Sequence, residues 1–333
     1  MKATRPIILI LGPTAGGKTA LAVALARALP GGGECISADS MQVYRGMDIG
    51  TAKPTPAERA AVPHHLLDIV DPSEEGFSVD TWLDLAEAAI ARIRARGRWP
   101  IVVGGTNLYA QALLAGLFDG PEPDPDLRRS LQAMDAEALR RQLREIDPPA
   151  AERIHPNDRK RTIRAIEVHE LTGRRLSDLQ QQWDSGRIRP DVRIIGLHWP
   201  VEAINRRINA RVKAMIEGGF VEEVRRLWEN DRLGRQAREA LGYRQIVDHL
   251  EGRLTLVEAT EQIKIRTRRL AKQQRTWLRR FRQHGQSAWL EAGGRALQEL
   301  VKYALSAIHE DVPARASAPG ERGNNPPQAG NCP

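Results

Sequence analysis

Cysteine is nearly absent from this chain. Cys35 lies in a short apolar run and Cys332 close to the C-terminus, and two thiols so placed build neither a disulfide framework nor a metal site. Long apolar runs are missing too. None approaches the ~20 residues of a membrane-spanning helix, so no membrane role is expected. Lys2 and Arg5 precede a short Ile/Leu run, but no secretory cleavage pattern follows, and a cytoplasmic protein is expected. Acidic residues are lacking where cations are densest: Lys264 to Arg282 holds nine Lys/Arg and no Asp or Glu. The formal net charge of +8 favours a polyanionic partner, although by itself it bears only on solubility and non-specific attraction. What is present suits a soluble protein: 333 residues, 41% hydrophobic and 28% charged, enough for more than one domain.

Gly12-Pro13-Thr14-Ala15-Gly16-Gly17-Lys18-Thr19 fits the phosphate-loop pattern G-x-x-x-x-G-K-[ST]. Ile7 to Leu11 reads as a buried strand before it and Thr19 to Leu29 as a helix after it, the order the motif requires. Backbone N–H groups and a helix N-terminus would receive a phosphate, Lys18 would reach the terminal phosphate, and the Thr19 hydroxyl would ligate Mg²⁺. A di- or triphosphate ligand is expected.

Further strands are expected at Glu34 to Ala38, Leu66 to Val70 and Ile101 to Gly105, with a helix over Ser78 to Arg96. Asp39 follows the second strand, and in parallel sheets the carboxyl ends carry ligands. It suits a general base and a turn-capping aspartate equally well. His64 and His65 have no third ligand at metal spacing, and a structural role is expected. Thr106 either contacts ligand or caps the next helix, and capping is favoured.

The α/β alternation stops near Phe118. The Pro-rich stretch Gly120 to Pro125 marks a boundary, and residues 126–183 read as charged helices containing the basic segment Asn157 to Arg164. Strand character returns at Arg193 to His198. Beyond it, Arg207 and Arg211 share one helix face. Arg211 could clamp a phosphate, but a solvated face is the favoured local reading. Lys264, Arg268, Lys272, Arg275, Arg279 and Arg282 form a basic stripe, with Ile263, Leu270, Trp277 and Phe281 as a separate stripe for docking. With no acids interleaved, nucleic-acid backbone binding is favoured for the basic stripe.

Four further stretches join the phosphate loop: Asp39 to Tyr44, Gly46 to Pro54, Gly104-Gly105-Thr106 and Arg164 to Val168. Ala240 to Gln245 and Arg275 to Arg279 complete the set. In that order, across roughly residues 5–285, the chain resembles the bacterial tRNA dimethylallyltransferases, also called tRNA isopentenyltransferases. The resemblance implies transfer of a dimethylallyl group from dimethylallyl diphosphate to N6 of the adenine immediately 3′ of certain tRNA anticodons. It casts Asp39 as general base, Lys18 and Thr19 as diphosphate and Mg²⁺ contacts, Thr14 as a substrate contact, Arg211 as a second clamp, and Thr106 as a neighbour of the adenine and the tRNA. Contacts to the anticodon stem-loop would come from Asp39, Ser40, Met41, Gln42, Thr106, Lys160, Arg161, Thr162, Ile163 and Arg164. Gly242, Tyr243, Arg244, Gln245, Lys272, Gln273, Arg275, Trp277 and Arg279 would supply the rest. Gly16 replaces a commoner Ser, and Gln273 stands where an Arg is usual, which would weaken one tRNA contact.

The expected fold is α/β: a phosphate-loop NTPase-like parallel sheet core over 1–118 and 191–310, a helical insertion over 119–190, and a helical C-terminal region. A disordered tail over 311–333 and a monomer are also expected. The phosphate loop serves kinases equally, so a small-molecule or nucleoside kinase is one alternative. A non-catalytic RNA-binding NTPase is another, with Leu66-Leu67-Asp68 as its weak magnesium-site candidate.

Overall fold

Ile7 to Leu11 is buried at every position, as a strand covered on both faces must be. Ile7, Leu9 and Leu11 pack into one apolar cluster and Ile8 and Ile10 into another, so the strand is the centre of a three-layer core. The computed structural model describes residues 5–118, 120–180 and 188–309. The tail expected to be disordered lies outside them, as does the end of the expected helical stretch near Trp183.

Six strands form one sheet in the order β3-β2-β4-β1-β5-β6, all neighbours parallel. They are β1 (Ile7–Leu11), β2 (Gly33–Ser37), β3 (His64–His65), β4 (Trp99–Val103), β5 (Val192–His198) and β6 (Ser287–Glu291). Helices α1 (Lys18–Ala28), α2 (Pro56–Ala61), α3 (Val79–Ala95) and α4 (Asn107–Ala115) belong to the first half of the core. The insertion supplies α5 (Pro125–Ala133), α6 (Ala136–Ile146), α7 (Pro148–Arg153), α8 (Arg159–Thr172) and α9 (Leu176–Leu179). After β5 come α10 (Val201–Glu217), α11 (Phe220–Glu229), α12 (Arg235–Arg238), α13 (Tyr243–Leu250), α14 (Leu256–Phe281) and α15 (Leu297–His309). The chain is thus an α/β protein with a phosphate-loop NTPase-like core, a helical insertion and a helical C-terminal region.

The insertion has its own apolar cluster, drawn from Leu131, Leu139, Leu143, Ile166, Val168 and neighbours. Glu167, fully buried, ties two of its helices together: it pairs with Arg128 at 2.7 Å and Arg164 at 2.6 Å and accepts the Asp124 N–H. Among buried charges only such paired, hydrogen-bonded ones are tolerable.

The strand expected over Leu66 to Val70 is not formed. Pairing with β2 ends at His65, because Leu66 and Asp68 turn left-handed at φ 61° and 58° and carry the chain off the sheet. His64 and His65 are structural: their rings bond the Val62 carbonyl at 2.8 Å and the Glu34 carboxylate at 2.7 Å.

Candidate active site

The carboxyl ends of β1, β2 and β4 open on one cleft of about 1240 Å³. After β1, Ala15 and Gly17 adopt φ 60° and 84°, which folds the loop back so that α1 starts at Lys18. Only glycine adopts the second of these without Cβ strain. The loop stands on two side chains from the β5 end: Trp199 donates its indole N–H to the Gly16 carbonyl at 3.1 Å, and Arg207 donates to that of Ala15 at 2.8 Å. The Arg207 guanidinium lies 4.7 Å from the Trp199 ring centre. Lys18 donates to the Pro13 carbonyl at 2.9 Å. Burial pushes the Lys18 pKa down to about 8, with the Arg211 charge adding to the shift and Asp39 opposing it.

Arg211, one turn after Arg207 on α10, also reaches the loop, its Nη1 3.5 Å from the Thr14 hydroxyl. Arg211 therefore meets the loop and not open solvent, unlike the reading that local spacing favours, although Arg207 on the same face is exposed. Helical periodicity shows which residues share a face, not what that face meets. Lys18, Arg211 and the loop amides make a cationic cradle at one end of this cleft, suited to an anion.

Asp39 stands at the end of β2. Its Oδ1 accepts the Met41 N–H at 2.9 Å, so it does close a turn, while Oδ2 points towards Gly105. Both readings of Asp39 thus remain compatible with the geometry, one oxygen serving each. Thr106 is at the N-cap of α4 but makes no side-chain cap, contrary to the favoured expectation. Its hydroxyl accepts the Ser40 N–H at 3.0 Å instead, because the chain at Gly104 presses against β2 too closely for any Cβ. A Cβ on Gly104 would fall 2.1 Å from the Ala38 carbonyl oxygen.

The segment after Asp39 is held by its own amides and by a buried carboxylate. Gln42 bonds Ser37, Thr51 and Ala52, which uses both ends of its side chain. Glu223 accepts the N–H groups of Asp48, Ile49 and Gly50 and the Tyr243 hydroxyl, the last at 2.5 Å. Burial, and then the Glu223 charge, raise the Tyr243 pKa well above its ordinary value, keeping the phenol a donor. Lys53, buried, pairs with Asp48 at 2.8 Å and Asp68 at 2.5 Å. Asp68 also pairs with Arg59 and is committed to this ion-pair network, so the magnesium-site role considered for it is withdrawn.

Several residues expected to touch tRNA are internal. The side chains of Thr162 and Ile163 are buried in the insertion, and Arg164 is held by Glu167 and the Pro121 carbonyl. Lys160 and Arg161 are exposed, and Arg161 lines the cleft. Tyr243 and Gln245 are buried too. Gln245 accepts the Gly242 N–H at 2.9 Å, and exposed Arg244 pairs with Glu239. Tyr243 lines the cleft, and Gln245 lies behind it in the interior. On α14, Lys264 pairs with Glu261 and Arg268 bonds Asn209, while Lys272, Gln273 and Arg279 are exposed and Arg275 and Trp277 half-buried. Leu270 is exposed at the cleft and not docked as expected. It lies only about 20° round the helix from Ile263, but on the side away from the buried residues, which run through Ile263, Ala271, Gln274, Leu278 and Phe281. Gln274, which sequence reasoning passed over, lies between the phosphate loop and Gly105.

Thr19 opens α1 at the cleft and offers a hydroxyl. Among the described residues no group of three or more His, Cys, Asp or Glu could hold a metal. One hydroxyl beside an anion cradle fits Mg²⁺, which takes few protein ligands when phosphate oxygens and water complete its shell. Among the described residues no helix is long and apolar enough to cross a membrane.

Known proteins are similar to this chain in sequence and fold. A sequence profile described as IPP transferase matches residues 42–281, and one described as isopentenyl transferase matches residues 5–71. The tRNA dimethylallyltransferase of Methylococcus capsulatus is 48% identical over 302 residues, covering 88% of this chain and 95% of that one. That of Syntrophobacter fumaroxidans is 48% identical over 293 residues, covering 86% and 84%. Among solved structures, the full-length tRNA isopentenylpyrophosphate transferase of Bacillus halodurans superposes with TM-score 0.66 at 40% identity, covering 91% of this chain and 97% of that one. A eukaryotic dimethylallyltransferase acting on tRNA gives TM-score 0.76 at 29% identity, covering 91% and 77%.

Proposed function

The chain belongs to the IPP transferase family and is a tRNA-modifying prenyltransferase, and from that premise we propose that it moves a dimethylallyl group from dimethylallyl diphosphate to N6 of the adenine 3′ of the anticodon. One observation supports this reading above others. The cationic cradle of Lys18 and Arg211 shares a single cleft with the carboxylate of Asp39 and with the basic helix α14.

In this mechanism the amine nitrogen attacks the allylic C1, the C1–O bond to diphosphate breaks, and the amine proton passes to Asp39. An exocyclic amine is a weak nucleophile, so stabilisation of the leaving group dominates the barrier. The loop amides, Lys18 and Arg211 are fixed in place before charge develops on the diphosphate, which avoids reorganisation during the step. The Thr19 hydroxyl would hold Mg²⁺, which when bound offsets diphosphate charge. Asp39 need be no strong base, because the amine becomes acidic as its new C–N bond forms. The adenine must leave its stack to enter the cleft. Exposed Lys160, Arg161, Lys272 and Arg279 would meet phosphates of the anticodon stem-loop. A cytoplasmic monomer accords with this role.

The test offers unmodified tRNA with labelled dimethylallyl diphosphate in one reaction and with labelled ATP in another. Label should reach RNA only from the prenyl donor. Phosphoryl label on RNA or on a small acceptor would return the phosphate loop to kinase chemistry.

A further inference from the structure

Gln274 sits on the inner face of α14, 4% exposed, between two loops that come from distant parts of the chain. Its Oε1 accepts the backbone N–H of Thr14 at 2.8 Å, and its Nε2 donates to the Gly105 carbonyl at 2.9 Å. The amide can face only this way, since an N–H needs an acceptor and a carbonyl a donor. Thr14 belongs to the diphosphate cradle. Gly105 precedes Thr106, whose hydroxyl holds Ser40 beside Asp39. The approach is built into Gly105 as well: a Cβ there would lie 2.9 Å from the Gln274 nitrogen.

We propose that Gln274 is a positioning residue of the transfer reaction, one amide that sets the spacing between the leaving-group cradle and the turn carrying the base loop. The inference rests on the proposed function. Because Gln274 is on α14, the same amide also joins that helix to the reacting centre. No charge or periodic pattern marks such a residue, and its neighbours Lys272 and Arg275 draw attention to the outer face of the helix instead.

The test compares single-turnover transfer at saturating tRNA for wild type, Gln274→Leu and Gln274→Glu. Leu removes both bonds and should slow transfer roughly 10²-fold, the scale of a small misplacement of reacting groups. Its tRNA affinity should hold, since no charge is lost. Glu is the discriminating variant. Ionised, it keeps the bond to Thr14 but sets a carboxylate oxygen against the Gly105 carbonyl; protonated, it regains the donor and matches Gln. Burial and the nearby Asp39 carboxylate raise the pKa of the introduced acid, while Lys18 and Arg211 in the same cleft oppose them. The Glu-to-wild-type rate ratio should therefore climb as pH falls, by about tenfold per unit above that pKa, while the Leu ratio stays flat. A flat Glu ratio, or wild-type rates in both variants, would overturn the proposal. If either variant failed to fold, Gly105→Ala displaces the Gln274 amide with the sequence of α14 unchanged, and normal transfer by it would overturn the proposal equally. Should wild type transfer no prenyl group, the proposed function falls. A titration with inorganic diphosphate then still reads the clamp: Leu must weaken binding, and unchanged affinity overturns it.

Discussion

The hydroxyl of Thr106 accepts the backbone N–H of Ser40 at 3.0 Å and lies 3.3 Å from the Ser40 hydroxyl. The end of β4 thereby holds the segment that carries Asp39. Thr106→Val keeps the branched shape and deletes the acceptor, leaving a half-buried N–H unpaired. That loss costs about 1–3 kcal/mol, which should appear as a roughly 5- to 150-fold slower transfer step. Thr106→Ser should restore most of the rate. Equal single-turnover rates for Val and wild type would show that the base loop is held without this bond.

The depressed pKa of Lys18 makes a prediction about pH. Burial, then Arg211, bring it to about 8. Below that pH the free protein carries the charged amine; above it the amine is neutral, and diphosphate binding must draw in a proton. Affinity for diphosphate should accordingly fall as pH rises through about 8, by at most about tenfold per unit. Lys18→Ala should abolish this dependence and weaken binding by ~1.5–3 kcal/mol, the worth of a charge-assisted bond. Calorimetric titration between about pH 6.5 and 9.5 reads both; an equal pH slope in the Ala variant would assign the titration to another group.

The sequence discloses the cradle more readily than its walls. The phosphate loop is contiguous, and its backbone geometry depends on local glycines, so Gly12 to Thr19 can be read directly. Asp39 and Thr106 are placed by the rule that parallel strands end at ligands, but which oxygen each would offer depends on the loops packed beside them. The two faces of a helix are legible as periodicity, and their surroundings are not. Arg211 looks solvated and meets Thr14; Tyr243 sits in a recognisable stretch and proves buried against Glu223. Gln274 and Glu223 escape notice because each serves backbone groups far along the chain, a relationship that leaves no local pattern. Leu66 has strand-like neighbours, yet its left-handed turn is set by the network joining Asp68 to Lys53 and Arg59.

Exposed cations on α14 should act on tRNA affinity and not on chemistry. Lys272 and Arg279 are both exposed, and among the described residues neither is joined to an acid. Replacing both with Ala should flatten the dependence of log affinity on log salt by about 0.7–0.9 for each phosphate that the helix then no longer meets. The single-turnover rate at saturating tRNA should stay near wild type. Filter-binding at several salt concentrations measures the slope, and an unaltered slope would turn this face of the helix away from the RNA.

Asp39 allows the sharpest separation of roles, because the geometry divides them between its two oxygens. Oδ1 accepts the Met41 N–H at 2.9 Å, a bond that the carbonyl of an asparagine would keep. Oδ2 takes no part in that bond and lies towards Gly105, which also lines the cleft. Asp39→Asn thus preserves the turn and removes the base, whereas Asp39→Ala removes both. If the carboxylate takes the amine proton, the Asn variant should lose roughly 10²–10⁴-fold in single-turnover rate. Its diphosphate affinity should hold or tighten, since a negative charge has left the neighbourhood of Lys18 and Arg211. That same charge raises the Lys18 pKa, so the pH midpoint of diphosphate binding should move below about 8 in the Asn variant. If Asp39 only closes the turn, the Asn variant should transfer near normally and the Ala variant poorly. Transfer kinetics at saturating tRNA, set beside titration with dimethylallyl diphosphate, distinguish these outcomes. A normal rate in the Asn variant would leave the turn as the whole role of Asp39 and require another acceptor for the proton.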